Sequence, residues 1–493
     1  MHLLGIDIGT SAVKAVLVDA GQRIVAQATA PVATAQPRPG WSEQEPEDWW
    51  RATLQAVAVL RADPAFADVR AVGLSGQMHA AVMLDQAGQA IRPAIIWNDG
   101  RAVAECRALA ETVPDIANIA GVIPMPGFTA PKLMWLRAHE AQDFRRMRHV
   151  ALAKDVVRLR LTGDIATDMT DAAGTLMLDE ARRDWSAPIL QAVGVEPRQM
   201  PQVLEGSAPS GQLRPAIAAE WGLAHPVIVA GGGGDSAAGA AGIGAIAEGD
   251  SLLSLGTSAQ IFVTRDRYQP RPETLIHAFA HVLPGRWFEQ AAMLNGAGCL
   301  DWIARVLGVD VDALAGEVEA HFAAPSRLMF LPYLAGERTP LNDPGARGAF
   351  AGLEYATSRR DLAQAVMEGV AFALLEGQSA FAVQRLDPLP VIGGGTRSRV
   401  WMRIIAAVLG RTVLRVAGSE SGPAFGAARL ARLALTGEAP EVVCIKPPVM
   451  EAIAPDPLLH DQYAARFTDY RALYAALRRV RAPTADRRPA ATP

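Results

Sequence analysis

Cysteine is scarce in this chain. Cys106, Cys299 and Cys444 are an odd number at wide spacing, which excludes a disulfide framework and any CxxC metal or redox site. Lysine is nearly as rare, with four residues against 43 arginines. A charge excess is missing too: 47 basic residues face 51 acidic ones, for a net charge of −4 and a pI near 6.2. That balance argues against a nucleic-acid scavenger and a polybasic membrane binder, though not against binding an anion locally. Met1–Thr10 has no basic region followed by a long apolar core, so no secretory signal is expected. The most apolar stretch, Pro226 to Ala247, is rich in Gly and Ala, carries Asp235 in its middle and lacks the Leu, Ile and Phe that insertion requires. The expectation is a protein of the reducing cytoplasm with neither nucleic acid nor membrane as partner.

Apolar residues, by contrast, make up half of the 493, and only a fifth are charged. Large cores are therefore possible and wholesale disorder is excluded. The length predicts two to four domains. Residues 482–493, all Pro, Ala, Thr, Arg and Asp without periodicity, read as a disordered tail.

A repeat organises the rest. Gly9-Thr10-Ser11-Ala12 returns as Gly256-Thr257-Ser258-Ala259, each copy between apolar runs. Both copies predict a β-hairpin with a Gly/hydroxyl turn, and together they suggest a duplicated architecture. Strands are predicted at Val69–Leu74, Ala80–Leu84, Pro226–Ala230 and Leu389–Ile392. Helices are predicted at Leu362–Leu375, Arg399–Leu409 and Ala424–Leu435. The class is α/β with mixed sheets, and a boundary near 245 divides the chain into 1–245 and 246–481.

Three glycine turns follow apolar strands, where backbone N–H groups can approach an anion. In the first, Thr10 and Ser11 could donate to phosphate oxygens, Lys14 could add charge and Asp7 could hold a hydrated Mg ion; an ordinary hairpin turn fits equally. Ser254 stands in the second copy where Asp7 stands in the first. Gly232-x-Gly234-x-x-Ala237 satisfies a loose dinucleotide pattern without its acidic partner, and no GxxxxGK[ST] or protein-kinase signature exists. Asp235, after the glycine run, is either a helix cap or a general base for a hydroxyl. Met78-His79 and Trp97-Asn98-Asp99-Gly100-Arg101 suit a polyol, or simply polar turns. His277 and His281 lie in a strand-like segment, which speaks against zinc.

Taken in order, Gly5-Ile6-Asp7-Ile8-Gly9-Thr10-Ser11, Trp41-Ser42-Glu43-Gln44, Gly76-Gln77-Met78-His79, the Trp97–Arg101 segment, Gly127-Phe128-Thr129-Ala130-Pro131-Lys132-Leu133, Ser254–Ser258, Leu331–Pro340 and Ile392–Gly395 resemble the FGGY family of carbohydrate kinases. The resemblance covers roughly residues 3 to 480 and is close to bacterial members acting on the ketopentose D-xylulose. It implies an actin-like ATPase fold of two ribonuclease-H-like domains, with a sugar-binding N-terminal half and a C-terminal half binding Mg-ATP. Carried over by position, Asp235 matches the catalytic base and Asp7 the metal-associated acid. Met78, His79 and Trp97 match sugar-pocket positions, with Ser236 beside them. Thr10, Ser11, Gly256 and Thr257 match the phosphate loops, Gly298 a nucleotide-contacting turn, and Gly394 and Gly395 the adenosine site. Such relatives usually carry Asn after the catalytic Asp, where this chain has Ser236. The implied reaction moves the ATP γ-phosphoryl to the 5-hydroxyl of D-xylulose, with a homodimer left open as the assembly. The rivals are a sibling kinase for ribulose, gluconate or glycerol, and an ATP-gated binding module like actin and the heat-shock chaperones.

Overall fold

The computed structural model describes residues 1–382, 388–418 and 422–481; the expected tail at 482–493 lies outside them. The chain separates into two compact units, and not by a single cut. The first comprises Met1–Ser251, Phe262–Gln290 and Glu420–Pro448, and the second Leu252–Ile261, Ala291–Ser419 and Val449–Pro493.

The first unit is built on a mixed sheet. Apolar runs form β1 (His2–Ile8) and β2 (Ala12–Asp19), and the Gly9 N–H closes their turn onto Ala12 O at 3.1 Å. β3 (Ile24–Pro31) continues the antiparallel meander. On the other side β4 (Val69–Gly76) runs parallel to β1, followed by β5 (Pro209–Gln212), β6 (Ile228–Ala230) and the two-residue β7 (Gly233–Gly234). The order is β5-β6-β4-β1-β2-β3, with β7 also pairing parallel to β4. Three helices matter for the site: α1 (Ala153–Thr162), α2 (Met169–Ala173) and α3 (Asp235–Gly242).

One sheet face packs against the helix Gly422–Thr436, and glycine makes that possible. A Cβ on Gly5 would stand 2.0 Å from Ala424 O, one on Gly73 1.8 Å from Ala427 O, and one on Gly426 1.7 Å from Ala238 O. Leu3, Val16, Val18, Ala71, Ala424, Ala428 and Ala431 form the apolar layer there. The other face buries Leu4, Ile6, Ile8, Trp49 and Leu74 in a larger core.

The second unit repeats the motif. β8 (Ser251–Leu255) and β9 (Ala259–Arg265) flank the second GTSA turn, and β8 pairs parallel with β10 (Leu389–Ile392) as β1 does with β4. β11 (Val413–Val416) adds parallel to β10, and β12 (Val449–Ile453) antiparallel to β11. Its helices include α4 (Gly298–Leu307), α5 (Arg359–Ser379) and α6 (Arg399–Leu409). α5 begins three residues before the predicted helix because Ser358 and Asp361 form a capping box. The mixed α/β class, both hairpins and the α6 and β10 bounds agree with the sequence reading. Among the described residues no helix is long and apolar enough to cross a membrane.

Candidate active site

Three parallel strands of the first unit end together: β1 at Ile8, β4 at Gly76 and β7 at Gly234. Open α/β sheets bind ligands at such carboxyl ends. Asp7 and Gly233 both register with Ser75, so the chain leaving β7 brings Asp235 close enough to Asp7 for their charges to interact. Burial and the neighbouring Asp235 push Asp7 up to about 7, while the Ser75 hydroxyl and Lys14, its register partner across the hairpin, pull the other way. Burial raises Asp235 as well, against hydrogen bonds from Ser236, whose N–H and hydroxyl lie 2.7 and 3.2 Å from Asp235 Oδ1. Asp235 is the first residue of α3, whose cap is Gly234, so its carboxylate does not serve as the N-cap.

This pair suits a divalent cation. Asp7 Oδ1 is buried and accepts no hydrogen bond, and a cation would relieve both the desolvation and the mutual repulsion. Among the described residues no group of three or more His, Cys, Asp or Glu could hold a metal ion. A Mg ion here would therefore draw most ligands from water and phosphate oxygens, as Mg commonly does.

Next to the acids lies a tightly fixed pocket wall. Met78 is buried between two glycines: a Cβ on Gly234 would come within 2.7 Å of its sulfur, and one on Gly174 within 2.9 Å of its methyl. His79 has a left-handed backbone, φ 71°, an uncommon state for a non-glycine residue. Thr129 Oγ1 and Lys132 Nζ both donate to its carbonyl at 3.0 Å, and its ring meets the edge of Phe128 with centroids 4.5 Å apart. His79 Nδ1 sits 2.7 Å from Gly174 O, and since a carbonyl oxygen only accepts, Nδ1 carries a proton and donates it there.

Trp97 joins this wall to the first GTSA turn. Its Nε1 donates to Thr10 Oγ1 at 2.9 Å, and Thr10 donates on to Gln77 Oε1 at 3.4 Å. Gln77 Nε2 and Trp49 Nε1 both donate to Gln44 Oε1, and Gln44 Nε2 donates back to Thr10 O at 2.6 Å. The Thr10 hydroxyl is thus part of a network, while Ser11 is exposed at the tip of the turn. Asp99 and Arg101 are structural. Asp99 accepts from Ser42 N and from Arg101, whose guanidinium pairs with Glu43 and lies 3.6 Å over the Trp41 ring.

In the second unit the glycine turns come together. Gly296 N–H and Gly298 N–H donate to Thr257 O at 2.9 and 3.3 Å, and Ala297 N–H donates to Gly256 O at 2.6 Å. A Cβ on Gly298 would stand 2.9 Å from the Thr257 methyl, and one on Gly395 2.4 Å from Leu255. Gly393, at φ 97°, rests on the Leu255 carbonyl, and Gly394 has no neighbour within 3.5 Å of where its Cβ would be. Gly256, Thr257, Gly298, Gly394 and Gly395 therefore line one backbone-rich surface, although they come from three distant segments. Glu337 braces it, accepting from Leu294 N at 2.7 Å and from Asn295 Nδ2 at 3.2 Å.

Several residues in this constellation escape the sequence reading. Gln44 and Gln77 lie in quoted motifs without an assigned role. Gln290, which donates to Ser236 Oγ at 3.3 Å, and Thr170, which accepts from Gly234 N–H at 2.6 Å, were signalled by nothing local.

A strand-end pair of carboxylates beside the fixed Met78–His79 wall, and a glycine surface suited to phosphates, fit a small-molecule phosphotransferase. The N-terminal domain model of the FGGY family of carbohydrate kinases matches residues 2–242 and the C-terminal domain model residues 252–435, and the chain belongs to this family. It is 43% identical to the xylulose kinase of Escherichia coli K12 over 96% of this chain and 99% of that one, and 44% identical to that of Klebsiella pneumoniae over 96% and 98%. The crystal structure of a xyloylose kinase from Brucella ovis superposes with a TM-score of 0.91 at 43% identity, covering 97% of this chain and 100% of that one. The fold is the two-domain sugar-kinase fold of the actin-like ATPase class.

Proposed function

We propose that this chain transfers the γ-phosphoryl group of ATP to the 5-hydroxyl of D-xylulose, giving D-xylulose 5-phosphate and ADP, in xylose catabolism. The reaction rests on one observation, the desolvated Asp235 carboxylate facing Asp7 beside the Met78–His79 wall. The sugar rests on the likeness to the xylulose kinases, which spans nearly the whole chain.

Asp235 orients the attacking hydroxyl and takes its proton, and its raised basicity suits that work near neutral pH. Met78, His79, Trp97 and Ser236 hold the sugar. Thr10, Ser11 and Lys14 from the first hairpin, and Gly256, Thr257, Gly298, Gly394 and Gly395 from the second unit, hold the nucleotide through backbone N–H groups and charge. A Mg ion at Asp7, shared with Asp235, would neutralise charge on the phosphate oxygens. Positioning and charge stabilisation supply most of the acceleration in such transfers. The reading includes a cytoplasmic enzyme, a sugar-binding N-terminal half and a nucleotide-binding C-terminal half, with a homodimer as the assembly for sedimentation to test. Incubation with Mg-ATP and D-xylulose should give, besides the resonances of ADP, one new phosphomonoester resonance coupled to the C5 protons of the ketose. Coupling to any other carbon, or no product, would overturn the assignment.

A further inference from the structure

Behind the acids lies a buried cluster for which the reaction has no direct use. Lys154 Nζ, wholly buried, lies 2.7 Å from Asp155 Oδ1, 2.9 Å from Asp168 Oδ2 and 3.2 Å from Asp171 Oδ2. The other oxygen of Asp168 caps α2 and accepts the Thr170 hydroxyl at 2.5 Å. The same hydroxyl accepts the Gly234 N–H at 2.6 Å, one residue before Asp235. A few residues on, Gly174 O holds His79 Nδ1. The stretch 168–174 thus bonds to the backbone that presents Asp235 and to the ring of the pocket wall. Buried ion clusters are weak stabilisers in themselves, and this one reaches the site through Thr170.

We infer that Thr170 is a positioning residue for phosphoryl transfer: its hydroxyl, anchored on the Lys154–Asp168 pair, fixes the Gly234 amide and so the aim of the Asp235 carboxylate. The inference rests on reading Asp235 as the base. A hydroxyl can accept from an N–H and donate to a carboxylate at once; Val has the shape of Thr and does neither.

The test compares Thr170→Val and Thr170→Ser in the full chain, alone and combined with Asp235→Asn, by steady-state kinetics with Mg-ATP and D-xylulose. Thr170→Val is expected to lower kcat about 10- to 100-fold, the scale of a misplaced reacting group, with the sugar KM within about threefold. Thr170→Ser should stay within about threefold of the parent, because it keeps both bonds. If Thr170 acts through Asp235, adding Thr170→Val to Asp235→Asn costs less than about twofold more. A Val variant that keeps parental kcat, a Ser variant as slow as Val, or a full further loss in the Asp235→Asn background overturns the inference. If the Val variant is unfolded at the assay temperature, Thr170→Cys, whose thiol bonds weakly, is read by the same criteria. The two readings separate: parental turnover in Asp235→Asn removes the base itself, whereas a slow Asp235→Asn with a fast Thr170→Val removes only the positioning role.

Discussion

In the proposed mechanism Asp235 carries the chemistry, and its substitution is the sharpest residue-scale test. Asp235→Asn keeps size and polarity but cannot accept the hydroxyl proton, so kcat should fall about 10²–10⁴-fold with the melting temperature little changed. Turnover within about threefold of the parent would exclude the role. The pH dependence follows from its environment. The base works ionised, and burial holds its pKa above the ordinary 3.8, so kcat/KM should fall on the acid side with an apparent pKa above that value. Because a cation beside the two acids favours the ionised carboxylate, raising the Mg concentration should move this limb to lower pH; a limb at or below 3.8, or one indifferent to Mg, contradicts the paired-acid site. Ser236 is engaged by Asp235 and Gln290. An Asn amide reaches further and has two donors, so Ser236→Asn should tighten D-xylulose binding by about 0.5–1.5 kcal/mol. An equal change for a ketose epimeric at one hydroxyl would show that the position does not read the sugar.

At the scale of elements, strand, glycine turn and following acid are local patterns, and that is why Asp7, Asp235 and both hairpins are legible in the sequence. What holds them is not local. Gln44 and Gln77 are 33 residues apart, and Thr170 and Gly234 are 64 apart. Uncharged side chains at such separations leave no periodic trace. Lys154 left one: it is among only four lysines, inside a short amphipathic helix next to Asp155. Removing it strands three buried carboxylates. Lys154→Met should cost about 3–5 kcal/mol in urea unfolding, and the loss should shrink as the pH falls, because protonated carboxyls need no cation. A cost under about 1 kcal/mol would mean that the cluster behaves like a surface pair.

For the molecule as a whole, the repeated GTSA hairpin announces the two-fold architecture, and the family domain models follow it along the chain. The return of residues 420–448 to the first unit was not legible, since an Ala/Gly-rich helix reads alike wherever it packs. Only Gly5 and Gly73, placed inside apolar strands, hint at a close backbone neighbour. Substrate choice is the property least visible in fold, because one architecture serves many sugars. The direct measurement is ADP release with Mg-ATP across D-xylulose, D-ribulose, gluconate and glycerol. Release should depend on added sugar, with kcat/KM for D-xylulose at least about tenfold above each other acceptor. A higher kcat/KM for another acceptor would contradict the sugar assigned, and ADP release indifferent to any sugar would contradict the kinase itself.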